Sequence, residues 1–183
     1  MKSNNFKENI VPALVLVCIC LVVTLALAGT YSVANPVIEK NQQKAADEAR
    51  MEVLPEGDSF TQYDGKLVAG VDDCYIADNK AGMAVTSEYK GFGGAVKVMV
   101  GINANGEITG VKVTEHAETP GLGTKAMEVD YLKQYVKVAE ASGGHINDDA
   151  NIDAVTGATI TSNAVYCSVG EALAQFKECG GVK

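Results

Sequence analysis

Residues 153–162 read Asp-Ala-Val-Thr-Gly-Ala-Thr-Ile-Thr-Ser, a combination suited to holding an anion. Gly157 lets the backbone approach a bound group closely, and Thr156, Thr159 and Thr161 supply hydroxyl donors. The pattern that follows predicts a helix, whose first N–H groups are unpaired and whose dipole is positive at this end. These features indicate a phosphate site. The same residue types also cap helices, and from residue type alone a capping role for Thr161 or Ser162 is the commoner use.

Residues 116–123 form a second segment of unusual composition, His-Ala-Glu-Thr-Pro-Gly-Leu-Gly. Pro120 interrupts backbone hydrogen bonding, and Gly121 and Gly123 favour turn conformations. Pro-Gly is also a common turn dipeptide, so the residues by themselves predict a loop.

The composition excludes several other kinds of site. The net charge is -8, with 15 Lys+Arg against 23 Asp+Glu and no basic cluster, so no nucleic-acid partner is expected. The 5 cysteines lack the spacing of a zinc or iron–sulfur site, so no metal is expected. No catalytic base or nucleophile is recognisable, and we expect no catalytic residue.

Residues 10–33 predict a single transmembrane helix. No charged residue lies between Glu8 and Glu39, and residues 10–28 are almost wholly apolar, a run that matches the roughly 20 residues a bilayer core requires. A cleavable signal peptide is the alternative, because lysines precede the run and Ala-Leu-Ala ends it. Signal-peptide apolar cores are shorter, about 7–15 residues, which favours a retained anchor.

The remaining elements predict one α+β domain behind this anchor. Residues 34–55 indicate a connecting helix that ends near a Pro-Glu-Gly turn. Runs rich in Val, Ile and Tyr predict an antiparallel sheet, with Asn-Gly at 105–106 as a hairpin turn. The predicted strands are residues 66–77, 82–89, 95–103 and 107–115. Helices are predicted at residues 124–138 and 162–179, the second with one apolar stripe. The resulting division is an N-terminus at 1–9, a transmembrane helix at 10–33, a connecting helix at 34–55 and a domain at 56–183.

The two segments together resemble a known family. Asp-x-x-Thr-Gly-Ala-Thr at 153–159 is similar to the flavinylation motif of proteins that carry FMN through a phosphoester to threonine. Glu-Thr-Pro-Gly-Leu-Gly at 118–123 resembles the loop that precedes this motif in the same family. In this order, after a β meander and behind an anchor, they look like the G subunit of the Rnf electron-transport complex. The C subunit of the sodium-translocating NADH:quinone reductase shares the motifs but is usually larger.

The resemblance implies a role for each segment. A flavin transferase would attach FMN covalently to Thr159. Asp153 would be the acidic first residue of the segment that the transferase recognises. The other residues implied to bind the cofactor are Thr156, Gly157, Ala158, Thr161 and Ser162 in this segment, and Glu118, Thr119, Gly121, Leu122 and Gly123 in the upstream loop. A loop poor in side chains would let the flat flavin ring lie close to backbone N–H groups.

The resemblance also implies a function. The chain would be a membrane-anchored electron-transfer subunit, without an active site of its own, in an ion-translocating ferredoxin:NAD+ oxidoreductase. Its partners would include iron–sulfur subunits and a second flavinylated membrane subunit. The expected location is the cell membrane, single-pass. A short N-terminus before a long acidic domain indicates signal-anchor insertion, with residues 1–9 cytoplasmic and the domain extracytoplasmic. The alternatives are the C subunit of the quinone reductase and a stand-alone extracytoplasmic flavoprotein.

Overall fold

The computed structural model describes residues 4–141 and 144–182, with side chains from residue 10 onward. Residues 1–3 of the predicted cytoplasmic N-terminus therefore lie outside the described residues, as do 142–143 and 183 of the predicted domain. Contacts divide the chain into two compact units, Met1–Ala45 and Ala46–Lys183. Each unit is described by itself below. The predicted boundaries at 33/34 and 55/56 stay predictions.

Helix α1 comprises Asn4–Val53 and includes Pro12 and Pro36. Its side chains from residue 10 to residue 33 are all exposed, although most of them are apolar. The most apolar window has a mean hydropathy of 3.1, so by length and composition the helix could cross a membrane. Exposed apolar side chains on every side of a helix are typical of a segment surrounded by lipid.

The second unit contains a five-stranded antiparallel sheet in the order β1-β2-β3-β4-β5. Its strands are β1 Phe60–Gln62, β2 Val71–Ala77, β3 Gly82–Lys90, β4 Ala95–Asn103 and β5 Ile108–His116. Strands β3 and β4 pair without interruption from Gly82 opposite Asn103 to Lys90 opposite Ala95. The predicted Asn-Gly turn is confirmed between β4 and β5, where Gly106 has a φ of 86°. The predicted meander is therefore confirmed for β2 to β5.

Helix α3, Thr159–Glu178, covers one face of this sheet. Four residues of the predicted apolar stripe are buried, with Val165, Val169 and Ala172 at 0% exposure and Leu173 at 4%, and the fifth, Phe176, is partly buried. These side chains pack against Val85, Val98 and Val100 and their neighbours in the main core. Their packing holds the start of α3 in a defined place on the sheet.

The last turns of α1 pack within the second unit on the other sheet face, where Ala49 and Val53 contact Ala84 and Met99. Gly101 permits this approach, because a Cβ there would lie 2.1 Å from the Val53 carbonyl oxygen. That carbonyl accepts a hydrogen bond of 2.5 Å from the Thr109 hydroxyl, which satisfies a carbonyl at the helix end. Residues 46–53 are therefore part of the folded domain.

The predicted helix at 124–138 is wrong in detail. This stretch consists of a 3-10 turn at Gly123–Met127, a short helix α2 at Val129–Leu132, and a 3-10 turn at Lys133–Tyr135. A third 3-10 turn follows at Ile146–Asp148. The first stretch ends in backbone hydrogen bonds with β5, of 2.8 Å from Lys137 N to Ile108 O and 3.0 Å from Ile108 N to Val138 O. The helix is interrupted at Glu128 and again at Val136, where the backbone is extended, and beyond Val136 these bonds join the segment to the sheet.

The predicted strand at 66–77 begins later, at Val71. Its first residues form a loop held by the buried side chain of Gln175, which accepts from Val68 N at 2.7 Å and donates to Lys66 O at 3.2 Å. Strand β1 was not predicted from the sequence, because its three residues carry too little pattern.

Candidate cofactor-binding site

The segment before α3 turns tightly into the helix. Gly157 has a φ of 83°, a left-handed conformation that favours glycine. Ala158 N donates to Val155 O at 2.9 Å, which closes the turn immediately before Thr159. Thr159 is then the first residue of α3. The turn therefore places the Thr159 side chain at the N-terminal end of the helix.

Among the residues that the structure describes, no side chain caps α3, so the predicted capping role of Thr161 or Ser162 is wrong. The N-cap residue is Ala158, which cannot accept a hydrogen bond through its side chain. Ser162 is fully buried, and its hydroxyl accepts instead from Val155 N at 3.0 Å. Thr161 donates to Glu118. The N–H groups of the first turn of α3 are thus left for an acceptor other than a capping side chain.

A cavity of about 310 Å³ opens beside this helix end. It is lined by Phe92, Glu118, Thr119, Leu122, Gly123, Gly157, Ala158, Thr159, Ile160 and Thr161. The structure thereby brings together most of the residues predicted from the two separate sequence segments. Its volume falls at the lower end of the range of about 300–1,000 Å³ typical of small-molecule sites.

Three predicted cofactor-binding residues do not line the cavity. Thr156 is exposed just before Gly157, and Ser162 is buried behind the helix start. Gly121 has a φ of 81°, and its N–H donates to Thr124 Oγ1 at 2.9 Å. Gly121 and Ser162 therefore shape the backbone on either side of the cavity.

Asp153, the predicted recognition residue, is exposed and held through its backbone. Gln134 accepts from Asp153 N at 2.8 Å and donates to Asp153 O at 3.3 Å. These two bonds leave the carboxylate of Asp153 facing solvent. Gln134 and Ser162 thus fix the backbone at Asp153 and Val155, on the way to Thr159.

Glu118 joins the walls of the cavity. It is 6% exposed, and its Oε2 accepts from Thr161 Oγ1 at 2.9 Å while its Oε1 accepts from Gly93 N at 3.0 Å. Gly123 makes room for it, because a Cβ at that position would stand 2.5 Å from Glu118 Oε2. The loop, the β3–β4 turn and α3 thus meet at one carboxylate.

Two lining residues were missed by the sequence analysis. Phe92 is 72% exposed in the β3–β4 turn, and Ile160 is 55% exposed in the first turn of α3. The available signal for Phe92 was an aromatic residue set among Gly91, Gly93 and Gly94. Exposed aromatic and aliphatic side chains beside a cavity suit contact with a flat apolar ring.

The lining fits an FMN molecule in two respects. Phe92, Leu122 and Ile160 offer apolar contacts for a ring system, and the uncapped start of α3 offers N–H groups for a phosphate. Thr159 lies at the same helix end, where its hydroxyl could be joined to that phosphate. The His116 and His145 side chains each accept a backbone N–H through Nδ1, at 3.3 Å from Glu118 and 3.2 Å from Asn147.

The sequence matches known proteins at two levels. The family model of the FMN-binding domain matches residues 91–174, which include every residue that lines the cavity. The chain is 31% identical over 170 residues to the G subunit of the proton-translocating ferredoxin:NAD(+) oxidoreductase complex of Clostridium ljungdahlii, covering 90% of this chain and 89% of that protein. It is 31% identical to the G subunit of the Na(+)-translocating ferredoxin:NAD(+) oxidoreductase complex of Acetobacterium woodii, again covering 90% and 89%. A third relative, the G subunit of the ion-translocating oxidoreductase complex of Methanosarcina acetivorans, is 29% identical, covering 93% and 95%. The chain belongs to the family formed by these G subunits.

Gly157 is expected to be required for the turn that places Thr159. In Gly157→Ala the new Cβ would find space, since its nearest contact is Leu122 Cδ1 at 3.6 Å. The left-handed backbone conformation should therefore lower the unfolding free energy of this variant by about 1–2 kcal/mol. Gly144→Ala is the matched control, because its nearest neighbour is Asp148 Oδ2 at 3.9 Å and its φ is not in the left-handed region. Denaturant unfolding would measure both, and equal stability of the two variants would contradict the assigned strain.

Proposed function

We propose that this chain is a membrane-anchored electron-transfer subunit that carries FMN in phosphoester linkage to Thr159. It would act within an ion-translocating ferredoxin:NAD+ oxidoreductase complex, as the names of its relatives say of theirs. The observation that carries the proposal is the position of Thr159, at the uncapped N-terminus of α3 on the wall of a cavity inside the FMN-binding domain.

The chemistry at Thr159 favours attachment over catalysis. Uncapped N–H groups at the start of α3 and the positive end of its dipole would stabilise the negative charge of the phosphate. Thr159 would supply the ester oxygen, and the half-buried position of its side chain would hold the ester against the helix. A bound FMN accepts and passes on electrons. The cavity residues hold and orient it.

A covalent link suits a relay. Affinity for a cofactor generally differs between its oxidation states, so a carrier held only by noncovalent contacts can lose it during turnover. A phosphoester removes that constraint and fixes the position of the ring. Phe92, Leu122 and Ile160 would contact the ring and leave part of it accessible to a partner, since all three side chains are substantially exposed.

Helix α1 supports the membrane part of the proposal. Its apolar residues are exposed, and its length and composition fit a single span. We propose a retained anchor with the domain outside the cytoplasm. The partners would be the other subunits of the membrane complex, including iron–sulfur subunits and a second flavinylated subunit, with a flavin transferase needed for maturation.

The attachment has a direct test. The full-length chain, produced together with a flavin transferase, would be separated on a denaturing gel and illuminated with ultraviolet light. We expect a fluorescent band at the mass of the chain, because only a covalent flavin survives denaturation. The same chain produced without the transferase serves as the control and should be dark. A dark band in the presence of an active transferase would refute covalent attachment.

A further inference from the structure

Glu118 has an environment that a loop residue does not normally have. Its side chain is 94% removed from solvent, as its 6% exposure shows, yet it keeps both carboxylate oxygens in hydrogen bonds. Gly91 and Gly123 leave the space for it, since a Cβ would stand 2.2 Å from Oε1 at the first and 2.5 Å from Oε2 at the second. The chain therefore surrounds this carboxyl group with backbone and small residues.

Both oxygens act as acceptors, as an ionised carboxylate requires. Among the ion pairs formed by the described residues, none involves Glu118. Its negative charge is held by the Gly93 N–H, by the Thr161 hydroxyl and by the nearby start of α3. A buried negative charge without a basic partner therefore stands in the wall of the cavity.

We propose that Glu118 is the positioning residue that assembles the FMN site and that its charge sets the midpoint potential of the bound flavin. The two hydrogen bonds of Glu118, from Gly93 N and Thr161 Oγ1, are called the Glu118 clamp. This clamp fixes the turn that carries Phe92 and the helix start that carries Thr159 against the same loop. This inference rests on the proposed function, since it concerns the flavin attached at Thr159.

The sign of the electrostatic effect follows from the charge. Reduction adds electrons to the flavin, and a negative charge in a poorly solvated wall opposes any added negative charge. Glu118 therefore lowers the midpoint potential, which suits a carrier that passes electrons onward from a strong reductant. Removing the charge while keeping the side-chain shape should raise the potential.

Glu118→Gln isolates the charge. Gln can still accept from Gly93 N–H through its oxygen, and its NH2 group can donate to the Thr161 hydroxyl. We expect full flavinylation and an increase of about tenfold in the equilibrium constant for reduction, about 30 mV for a two-electron couple. Glu115→Gln is the matched control, because Glu115 is an exposed residue of β5 whose carboxylate pairs with Lys97 away from the cavity. The flavin midpoint potential of Glu115→Gln should stay close to that of the unchanged protein.

Glu118→Asp isolates the clamp, since it keeps the charge and shortens the side chain by one methylene. Hydrogen exchange at the Gly93 amide is the readout, measured in the flavin-free Thr159→Ala background so that the cofactor plays no part. We expect faster exchange at Gly93 in Glu118→Asp and a midpoint potential, in flavinylated protein, nearer to the unchanged protein than that of Glu118→Gln. Unchanged exchange at Gly93 would overturn the clamp.

The outcomes separate this inference from the proposed function. If the unchanged protein carries covalent FMN and Glu118→Gln shifts the potential no more than Glu115→Gln, the role of the charge is overturned and the proposed function stands. If the unchanged protein carries no flavin, both are overturned. Should Glu118→Gln fail to fold, Glu118→Asp and the Gly93 exchange rate still decide whether Glu118 holds the walls together.

Discussion

Replacing Thr159 with alanine is expected to abolish the covalent flavin and to leave the domain folded. The change removes the only atom through which the proposed ester could form, so the loss should be complete. The side chain is half-buried at the first position of α3 and makes no contribution to the apolar stripe of that helix. Gel fluorescence reports the flavin, and circular dichroism with a denaturant midpoint reports the fold.

Two variants control this result. Thr159→Ser keeps a hydroxyl at the same atom and should keep an adduct. Thr161→Ala should also keep it, because Thr161 is only 1% exposed and its hydroxyl is already bonded to Glu118. Loss of that bond leaves Glu118 Oε2 buried without this donor, so stability should fall by about 1–3 kcal/mol without moving the attachment site. A fluorescent Thr159→Ala band would show that another residue carries the flavin.

Deleting residues 1–45 is expected to move the protein from the membrane fraction to the soluble fraction. The deletion removes the exposed apolar helix surface and ends at the boundary between the two compact units. Residues 46–53 remain, so Ala49 and Val53 keep their contacts with Ala84 and Met99. We expect cooperative unfolding of the shortened chain, measured by circular dichroism after ultracentrifugation of cell lysate.

Deleting residues 1–53 is the matched comparison. It takes away Val53, which is 1% exposed, and leaves Thr109 without the carbonyl it donates to. Ala49 and Arg50, which are 3% and 7% exposed, are lost as well. The valine and its hydrogen bond alone account for about 2–4 kcal/mol of unfolding free energy, so this chain should be clearly less stable than the first. Equal stability would contradict the assignment of residues 46–53 to the domain. A full-length chain found soluble and shortened after Ala28 would instead support the signal-peptide alternative.

The sequence predicted the parts of the fold that have strong local patterns. Strand β4 was predicted at residues 95–103 and is observed there, because valines alternate along it and an Asn-Gly turn follows. The final helix was predicted from an apolar stripe, but its start was placed three residues late, at 162 instead of Thr159. The error has a physical cause: Thr161 and Ser162, which suggested a cap, bond to Glu118 and Val155, and Ala158 stands at the cap position.

Non-local hydrogen bonds account for what the sequence analysis missed. Residues 124–138 have a helical composition, but backbone bonds to Ile108 hold their end against the sheet. The partners of Glu118 are 25 and 43 positions away in the chain, so no local pattern could reveal them. The two motifs could be recognised separately, whereas their convergence on one cavity with Phe92 required the fold.

Peptide mapping of the flavinylated full-length chain tests the central claim most directly. Trypsin should release residues 138–177, which contain Thr156, Thr159 and Thr161 as their only threonines. We predict that this peptide carries the mass of one esterified FMN and that fragment ions place the addition on Thr159. An adduct on Thr156, on Thr161 or on another peptide would contradict the account, as would a peptide 138–177 without added mass in a fluorescent protein.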